Sequence, residues 1–330
     1  MTVSPRRNAA GDRGLSPRCR RLSGCVPGIA VLLLAGLLLA CASARAQNRG
    51  VYPLGLSAIN SGVTPDPGLT YSNAFLFYTR DESKGADGEV LGTGQQSLLL
   101  DMNTLLWVSA GEIERLADAR FSSAVTIPIA NNSLSTELQG AISSGGGLGD
   151  AYFQPVILSW RAKWVDIRGI LGVLAPTGKF NAGANDNVGA GYWSPAIASG
   201  QTFYLTEDRA TTISLFQIYE FHTSQSGTGI HPGQSFDLDY SLMRAFPFYA
   251  ESRLQVGLVG YGQWQTTAKT GPNITPADEA QRYRVNGLGV GLNLVLPTQK
   301  VSLSFKYFDE FGNQWTYQGH SIQISVGVGF

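Results

Sequence analysis

The last ten residues, Ser321 to Phe330, constrain this chain more than any other stretch. Ile322, Ile324, Val326, Val328 and Phe330 alternate with Ser321, Gln323, Ser325, Gly327 and Gly329. Strand side chains point to opposite faces with a period of two. The segment therefore reads as a strand with one apolar face and one small, polar face, ending on an aromatic residue.

The same theme recurs upstream. Leu288, Val290, Leu292 and Leu294 alternate with Gly and Asn; Phe236, Leu238, Tyr240 and Leu242 alternate with Asp237, Asp239 and Ser241. Val301, Leu303, Phe305 and Tyr307 alternate with Ser302, Ser304 and Lys306, and Val165, Ile167 and Leu171 stand opposite Asp166 and Arg168. Segments 97–108 and 210–222 carry apolar residues on both faces, as strands would whose inner face also packs something. Breaks rich in Gly, Asn, Asp, Ser and Pro separate segments of roughly ten residues, the length of a membrane-crossing strand. The expected strands are 69–78, 96–108, 120–130, 149–160, 164–175, 189–205, 210–222, 234–246, 252–264, 282–296, 301–311 and 320–330.

Connection lengths sort by side. The expected long ones are 79–95, 131–148, 176–188, 223–233 and 265–281, with a shorter 312–319; the short ones are 161–163, 206–209, 247–251 and 297–300. Only 109–119 is long for its side. Outer-membrane barrels have short periplasmic turns and longer outer loops. The predicted fold is all-β: a transmembrane, antiparallel, up-and-down β-barrel of the bacterial outer-membrane type, about twelve strands around, with ten and fourteen as the alternatives. Phe330 would then be the assembly signal read by the barrel-assembly machinery, and outer-membrane lipid the main partner.

The first 46 residues read as an export signal. Arg6, Arg7, Arg13, Arg18, Arg20 and Arg21 form a basic leader, Gly28 to Ala40 an apolar core, and Ala44-Arg45-Ala46 a cleavage site. Leu38-Leu39-Ala40-Cys41 is a weaker, lipoprotein-type alternative, and the length of the leader leaves a downstream start codon open. Expected boundaries are 1–46 signal peptide, 47–68 a periplasmic or lumen-plugging segment rich in Gly and Pro, and 69–330 the barrel. Cleavage after Ala46 would remove seven Arg and Asp12 from 24 basic and 24 acidic residues, leaving 17 against 23 and a net of −6. An acidic chain argues against a nucleic-acid partner. Cys19, Cys25 and Cys41 all precede the cleavage site, so the exported part would carry no disulfide or thiol chemistry.

Six tryptophans, Trp107, Trp160, Trp164, Trp193, Trp264 and Trp315, fall near strand ends or in connections, where indoles form the aromatic girdles of a barrel. Asp166, Arg168, Asp237, Asp239, Arg282, Arg284 and Lys306 interrupt alternating strands and are expected to line the lumen. An Arg or Lys facing lipid at mid-membrane would cost about 2–4 kcal/mol. Mutual pairing of acids and bases is the main role expected for them, with a selective polar lining as the alternative.

Short motifs resemble the meta-pathway phenol-degradation family of outer-membrane barrels. Tyr52-Pro53-Leu54-Gly55, and Thr64-Pro65-Asp66-Pro67-Gly68-Leu69 before Phe75, Phe77 and Tyr78, are similar to its opening. Gly147-Leu148-Gly149-Asp150, Ala175-Pro176-Thr177-Gly178-Lys179-Phe180, Gly191-Tyr192-Trp193-Ser194-Pro195 and Gly233-Gln234-Ser235-Phe236 are similar to its internal landmarks. The resemblance implies passage of small hydrophobic or aromatic compounds across the outer membrane, in association with aromatic (phenol) degradation. It implies no catalytic residues and no cofactor.

Other chemistry finds little support. Ala175 to Phe180 lacks the first glycine and the Ser or Thr of a phosphate loop. His222, His231 and His320 show no metal-ligand spacing and read as solvated loop histidines, so no metal is expected. No G-x-S-x-G elbow is present. A sealed structural or adhesion barrel acting through its outer loops, and an outer-membrane hydrolase, remain the alternatives to a channel.

Overall fold

The computed structural model describes residues 49–136, 140–184 and 186–330; the leader, its cleavage site and Cys41 lie outside the described residues. Thirteen strands follow one another: β1 Gly68–Lys84, β2 Val90–Ile113, β3 Ala119–Thr136, β4 Gly140–Leu148, β5 Ala151–Arg161, β6 Val165–Ala175 and β7 Ser194–Tyr204. They continue as β8 Thr211–Glu220, β9 Ser235–Pro247, β10 Arg253–Gln265, β11 Arg284–Leu296, β12 Val301–Glu310 and β13 Tyr317–Gly329. Each pairs antiparallel with its neighbour, and β1 pairs with β13 from Thr70↔Gly329 to Ser83↔Tyr317. The sheet thus closes on itself.

Thirteen strands make twelve staves. β4 and β5 both pair with β3, Leu148 opposite Ile129 and Tyr152 opposite Thr126, so they are one stave interrupted at Gly149-Asp150. The register shifts again between Phe153 and Val156, around Pro155, which has no N–H to give to the ladder. Closure satisfies the backbone of every stave without leaving an edge, which a hydrocarbon environment demands.

Two expected loops are mostly strand. β1 and β2 run on to a turn at 85–89, and β3 and β4 continue to 136 and from 140, so 79–95 and 131–148 are largely hairpin arms. Beyond the membrane neither face of a hairpin need be apolar, and the alternation that marks a lipid-facing strand is lost. On the opposite side the connections are 114–118, 162–164, 205–210, 248–252 and 297–300, and extension of β2 removes the exception at 109–119. The long loops 176–193, 221–234 and 266–283 share the other end with 85–89 and 311–316.

Parity sets the faces. Leu258, Leu288, Val290, Leu292, Leu303 and Ile324 are all exposed, and their odd- or even-numbered neighbours Val259, Gln255, Lys306 and Gln323 are buried. The apolar band is therefore on the outside. Val290→Arg should lower the unfolding free energy of the lipid-embedded barrel by about 2–4 kcal/mol in a denaturant titration, the midplane cost of a cation. A stability left nearly unmoved by Val290→Arg would instead place this residue in water.

Candidate functional site

The lumen is occupied by the chain itself. Residues 49–67 pass inside the barrel from its loop end to its turn end, and then enter β1. The side chains that grip this segment are polar residues on the inner parity of strands that are otherwise apolar outside.

Asp239 of β9 is the central anchor. Its carboxylate accepts from the Tyr52 hydroxyl at 2.6 Å, the Gly55 amide at 2.8 Å and the Ser57 amide at 3.0 Å. From β12, three staves along the wall, the Lys306 ammonium donates to the carbonyls of Gly55 (2.6 Å) and Leu56 (2.8 Å). Asp239 is 0 % exposed and Lys306 2 %. Two opposite charges buried in one lumen thus reach each other through the polar groups of a single turn, instead of by direct contact. The turn is tight: Leu56 N–H donates to Pro53 O at 3.2 Å, and Gly55 has φ +79°. A Cβ at Gly55 would press into the Phe308 ring, so position 55 requires glycine on both counts.

Anchors follow the segment in both directions. At the loop end, Arg49 makes a bidentate contact with Glu310 (3.0 and 3.3 Å) and bonds Thr316 and the Tyr317 carbonyl. Val51 N–H donates to Glu220 at 3.0 Å. Farther down, Ser241 donates to the Ala58 carbonyl at 2.6 Å, Asn60 to Gln255 at 2.9 Å and Gly62 N–H to Thr202 at 3.0 Å. Backbone meets backbone at Gly62, where a Cβ would collide with the Asp166 carbonyl, and at Gly200, where one would collide with Ser61 O. At the turn end Arg161 holds the Thr64 carbonyl and lies 3.4 Å from Asp66.

Apolar packing completes the fit. Ala58, fully buried, joins Met243, Val259, Tyr261, Tyr283, Val285 and Phe308, with Leu54 and Ile59 alongside. Tyr52 lies 5.4 Å from Phe216 in a second cluster, and Leu56 packs on Leu76, Tyr78 and Met102 in a third. Strands β2 and β8 are apolar on both faces because their inner faces pack this segment.

Of the seven charges expected in the lumen, five point inward. Asp166 accepts from Tyr204 at 2.8 Å, Asp237 is 0 % exposed with both carboxylate oxygens unpartnered, and Arg168 leaves its Nε unpartnered, its guanidinium 5.8 Å from the Phe216 ring. Arg282 and Arg284 do not. They precede Leu288, Val290 and Leu292 at the same even parity, so they face outward at the loop end, Arg282 donating to the Thr266 carbonyl. There water solvates them, and the midplane penalty does not arise. Mutual pairing is likewise replaced as the main role: Asp239 and Lys306 hold the inner segment.

The tryptophans divide. Trp107, Trp164 and Trp193 are exposed; Trp264 points outward and stacks on Phe236 at 5.9 Å, and Trp160 donates to the Leu116 carbonyl at 2.9 Å. Trp315 instead packs against the buried cluster around Tyr283 and Phe308, because the 311–316 connection folds in over the lumen. Phe246, Phe248 and Tyr249 are exposed around the turn after β9, aromatic positions that a count of tryptophans passes over. Phe330 is exposed beside Leu69, whose carbonyl accepts its amide.

His222 is buried, not solvated. Its Nδ1 lies 2.9 Å from Ser194 Oγ, and its Nε2 is 3.8 Å from Glu220, too far for a hydrogen bond. Burial pushes the imidazole down to about 4, with His231 acting the same way, so the ring is neutral at pH 7. Ser194 is 1 % exposed and Tyr192 covers the ring edge-on at 5.2 Å. The cluster ties the loops after β6 and β8 together. Among the described residues, no group of three or more His, Cys, Asp or Glu is placed to hold a metal ion. Lys179, in the phosphate-loop lookalike, pairs with Asp186, and Gly178 N–H donates to Asp150 at 2.8 Å, so that stretch is a folded outer loop.

Closed ladder, outward apolar band and sorted connections define an outer-membrane β-barrel. A family model described as Putative MetA-pathway of phenol degradation matches residues 79–326, and the chain belongs to that family. A search of curated proteins finds no match. Among solved structures, the COG4313 outer membrane channel from Pseudomonas putida F1 is similar, with a TM-score of 0.64 and 16% identity over 85% of this chain and 100% of that one. The beta domain of the Bordetella autotransporter BrkA gives a TM-score of 0.46 at 12% identity, over 80% of this chain and 100% of that one.

Asp239→Ala should strand two amides and a hydroxyl inside the lumen and lower stability by about 3 kcal/mol. Limited proteolysis should then cut within 49–67 while the wall stays heat-modifiable on a gel. Equal protease resistance of variant and wild type would contradict the anchoring role.

Proposed function

We propose that this chain is an outer-membrane uptake channel for small hydrophobic or aromatic compounds, with residues 49–67 as a displaceable plug. The observation that carries this reading is how the segment is held. Its amides at Gly55, Ser57 and Gly62 go to wall side chains, not to the wall's backbone ladder. It can therefore leave without breaking a strand pair. Family membership and the channel named in the similar Pseudomonas structure support the direction of the reading.

Displacement would uncover chemistry suited to an aromatic solute. Tyr52 would leave Phe216, exposing that ring beside Arg168, whose Nε has no partner. A planar cation next to an aromatic face favours a ring that carries an acidic group. Export with removal of 1–46 would deliver the chain to the membrane, and no covalent step is part of the mechanism. The density of plug anchors favours a second reading, a permanently sealed barrel that acts through its outer loops.

Single-channel recording from refolded residues 47–330, and from the same chain lacking 49–63, separates the two. The deletion should raise conductance, and an aromatic acid on one side should interrupt it. Arg168→Met in the deleted form should raise the half-blocking concentration about tenfold, equivalent to about 1.4 kcal/mol. Silence from both chains, with the barrel folded, would favour the sealed barrel.

A further inference from the structure

Two polar clusters face outward from this barrel at mid-depth, where only lipid should be. On β1 and β2 the outward rows run Leu69↔Trp107, Tyr71↔Leu105, Asn73↔Asn103, Phe75↔Asp101 and Phe77↔Leu99. Asn73, Asn103 and Asp101 therefore lie between apolar rows above and below. Asn73 bonds Asp101 and reaches Asn103 at 3.3 Å; Tyr71 donates to Asn103 at 2.6 Å. The inner faces of the same strands carry Leu76 and Met102, which pack on the plug, so the cluster is not part of the lumen.

On β7 and β8 the outward rows are Phe203↔Ile213, Gln201↔Leu215, Ser199↔Gln217 and Ile197↔Tyr219. Ser199 donates to Gln217 at 2.8 Å and Gln201 to Ser199 at 3.1 Å. Gly169, the cross-strand partner of Ser199 on β6, has open space where a side chain would be, which leaves a shallow hollow beside the cluster.

Hydrocarbon neither donates nor accepts a hydrogen bond, so polar groups facing it keep unspent bonding capacity at a cost. The two clusters have opposite surpluses. The β1–β2 cluster holds a carboxylate, which only accepts, and the β7–β8 cluster holds neutral amides with N–H groups to spare. We propose that copies of this chain associate side by side in the membrane, the β1–β2 cluster of one against the β7–β8 cluster of the next. A contact between two β1–β2 clusters would instead bring two Asp101 carboxylates together in a low dielectric, which is repulsive. All copies inserted the same way up hold both clusters at the same depth. The clusters are separated by five staves one way and seven the other, so they lie nearly opposite each other. Contacts of this head-to-tail kind continue into rows and do not close as a dimer.

The described residues contain no cysteine, which makes the contact testable by cross-linking in native outer membranes. Cells co-expressing differently tagged Asn103→Cys and Gln217→Cys chains should give a mixed, oxidant-dependent dimer. Chains carrying Leu258→Cys and Leu303→Cys, on strands away from both clusters, should not. In a second measurement, labelled wild type in supported bilayers should bleach in several steps, and the Asp101→Leu/Asn103→Leu variant in one. Absence of the mixed dimer above the control, a dominant Asn103→Cys self-dimer, cross-linking to a different protein alone, or single-step bleaching of wild type would each overturn the proposal. None of these readouts depends on conduction.

Discussion

Everything in this molecule depends on one pairing, that of β1 with β13. It joins the two ends of a long antiparallel ladder and leaves no strand edge facing lipid. Without closure, a row of amides and carbonyls would be stranded in hydrocarbon at several kcal/mol each. Closure also creates an inside, and the alternation of each strand then decides what fills it. Small and polar residues such as Ser241, Thr202 and Gln255 face inward because the aliphatic partners are committed to lipid.

An inside lined with carboxylates and a lysine must satisfy them. Direct pairing is one solution; a peptide segment is another, because its backbone supplies donors and acceptors at fixed spacing. The turn at Pro53–Ser57 uses the second. Its amides meet Asp239, its carbonyls meet Lys306, and the wall supplies the sockets for Leu54, Leu56 and Ala58. The wall's inner face accordingly mixes polar anchors with large apolar side chains such as Phe216, Met243 and Phe308, which pack the segment.

Much of the wall was legible in the sequence, because lipid enforces strict alternation and water at one end tolerates long loops. The alternation 288–294 even carries the correct direction for Arg282 and Arg284. Continued back along β11 it places every even residue outside, and only the general expectation that charges avoid lipid argued otherwise. The β1–β2 and β3–β4 arms were illegible as strands because they rise above the membrane, where no face need be apolar. His222 and Ser194 lie 28 positions apart and face each other because the β7–β8 register, Ala196↔Glu220, continues past the end of β8, where Phe221 N–H still donates to Pro195 O. The anchors of the inner segment were harder still. Asp239 was visible as an inward acid, but its partner Tyr52 is 187 residues away, and no local pattern joins them. The Gly- and Pro-rich composition of 47–67 suggested a segment without strand pairing; the structure adds which side chains hold it.

The central claim is that this segment is a packed part of the barrel interior. Site-resolved hydrogen exchange at the Gly55, Ser57 and Gly62 amides tests it most directly, since each donates to a wall side chain. Exchange slowed by orders of magnitude relative to a free peptide, and accelerated at Gly55 and Ser57 together when Asp239 is removed, is the predicted result. Exchange at free-peptide rates in the folded barrel would contradict the account, because the segment would then spend its time outside the lumen.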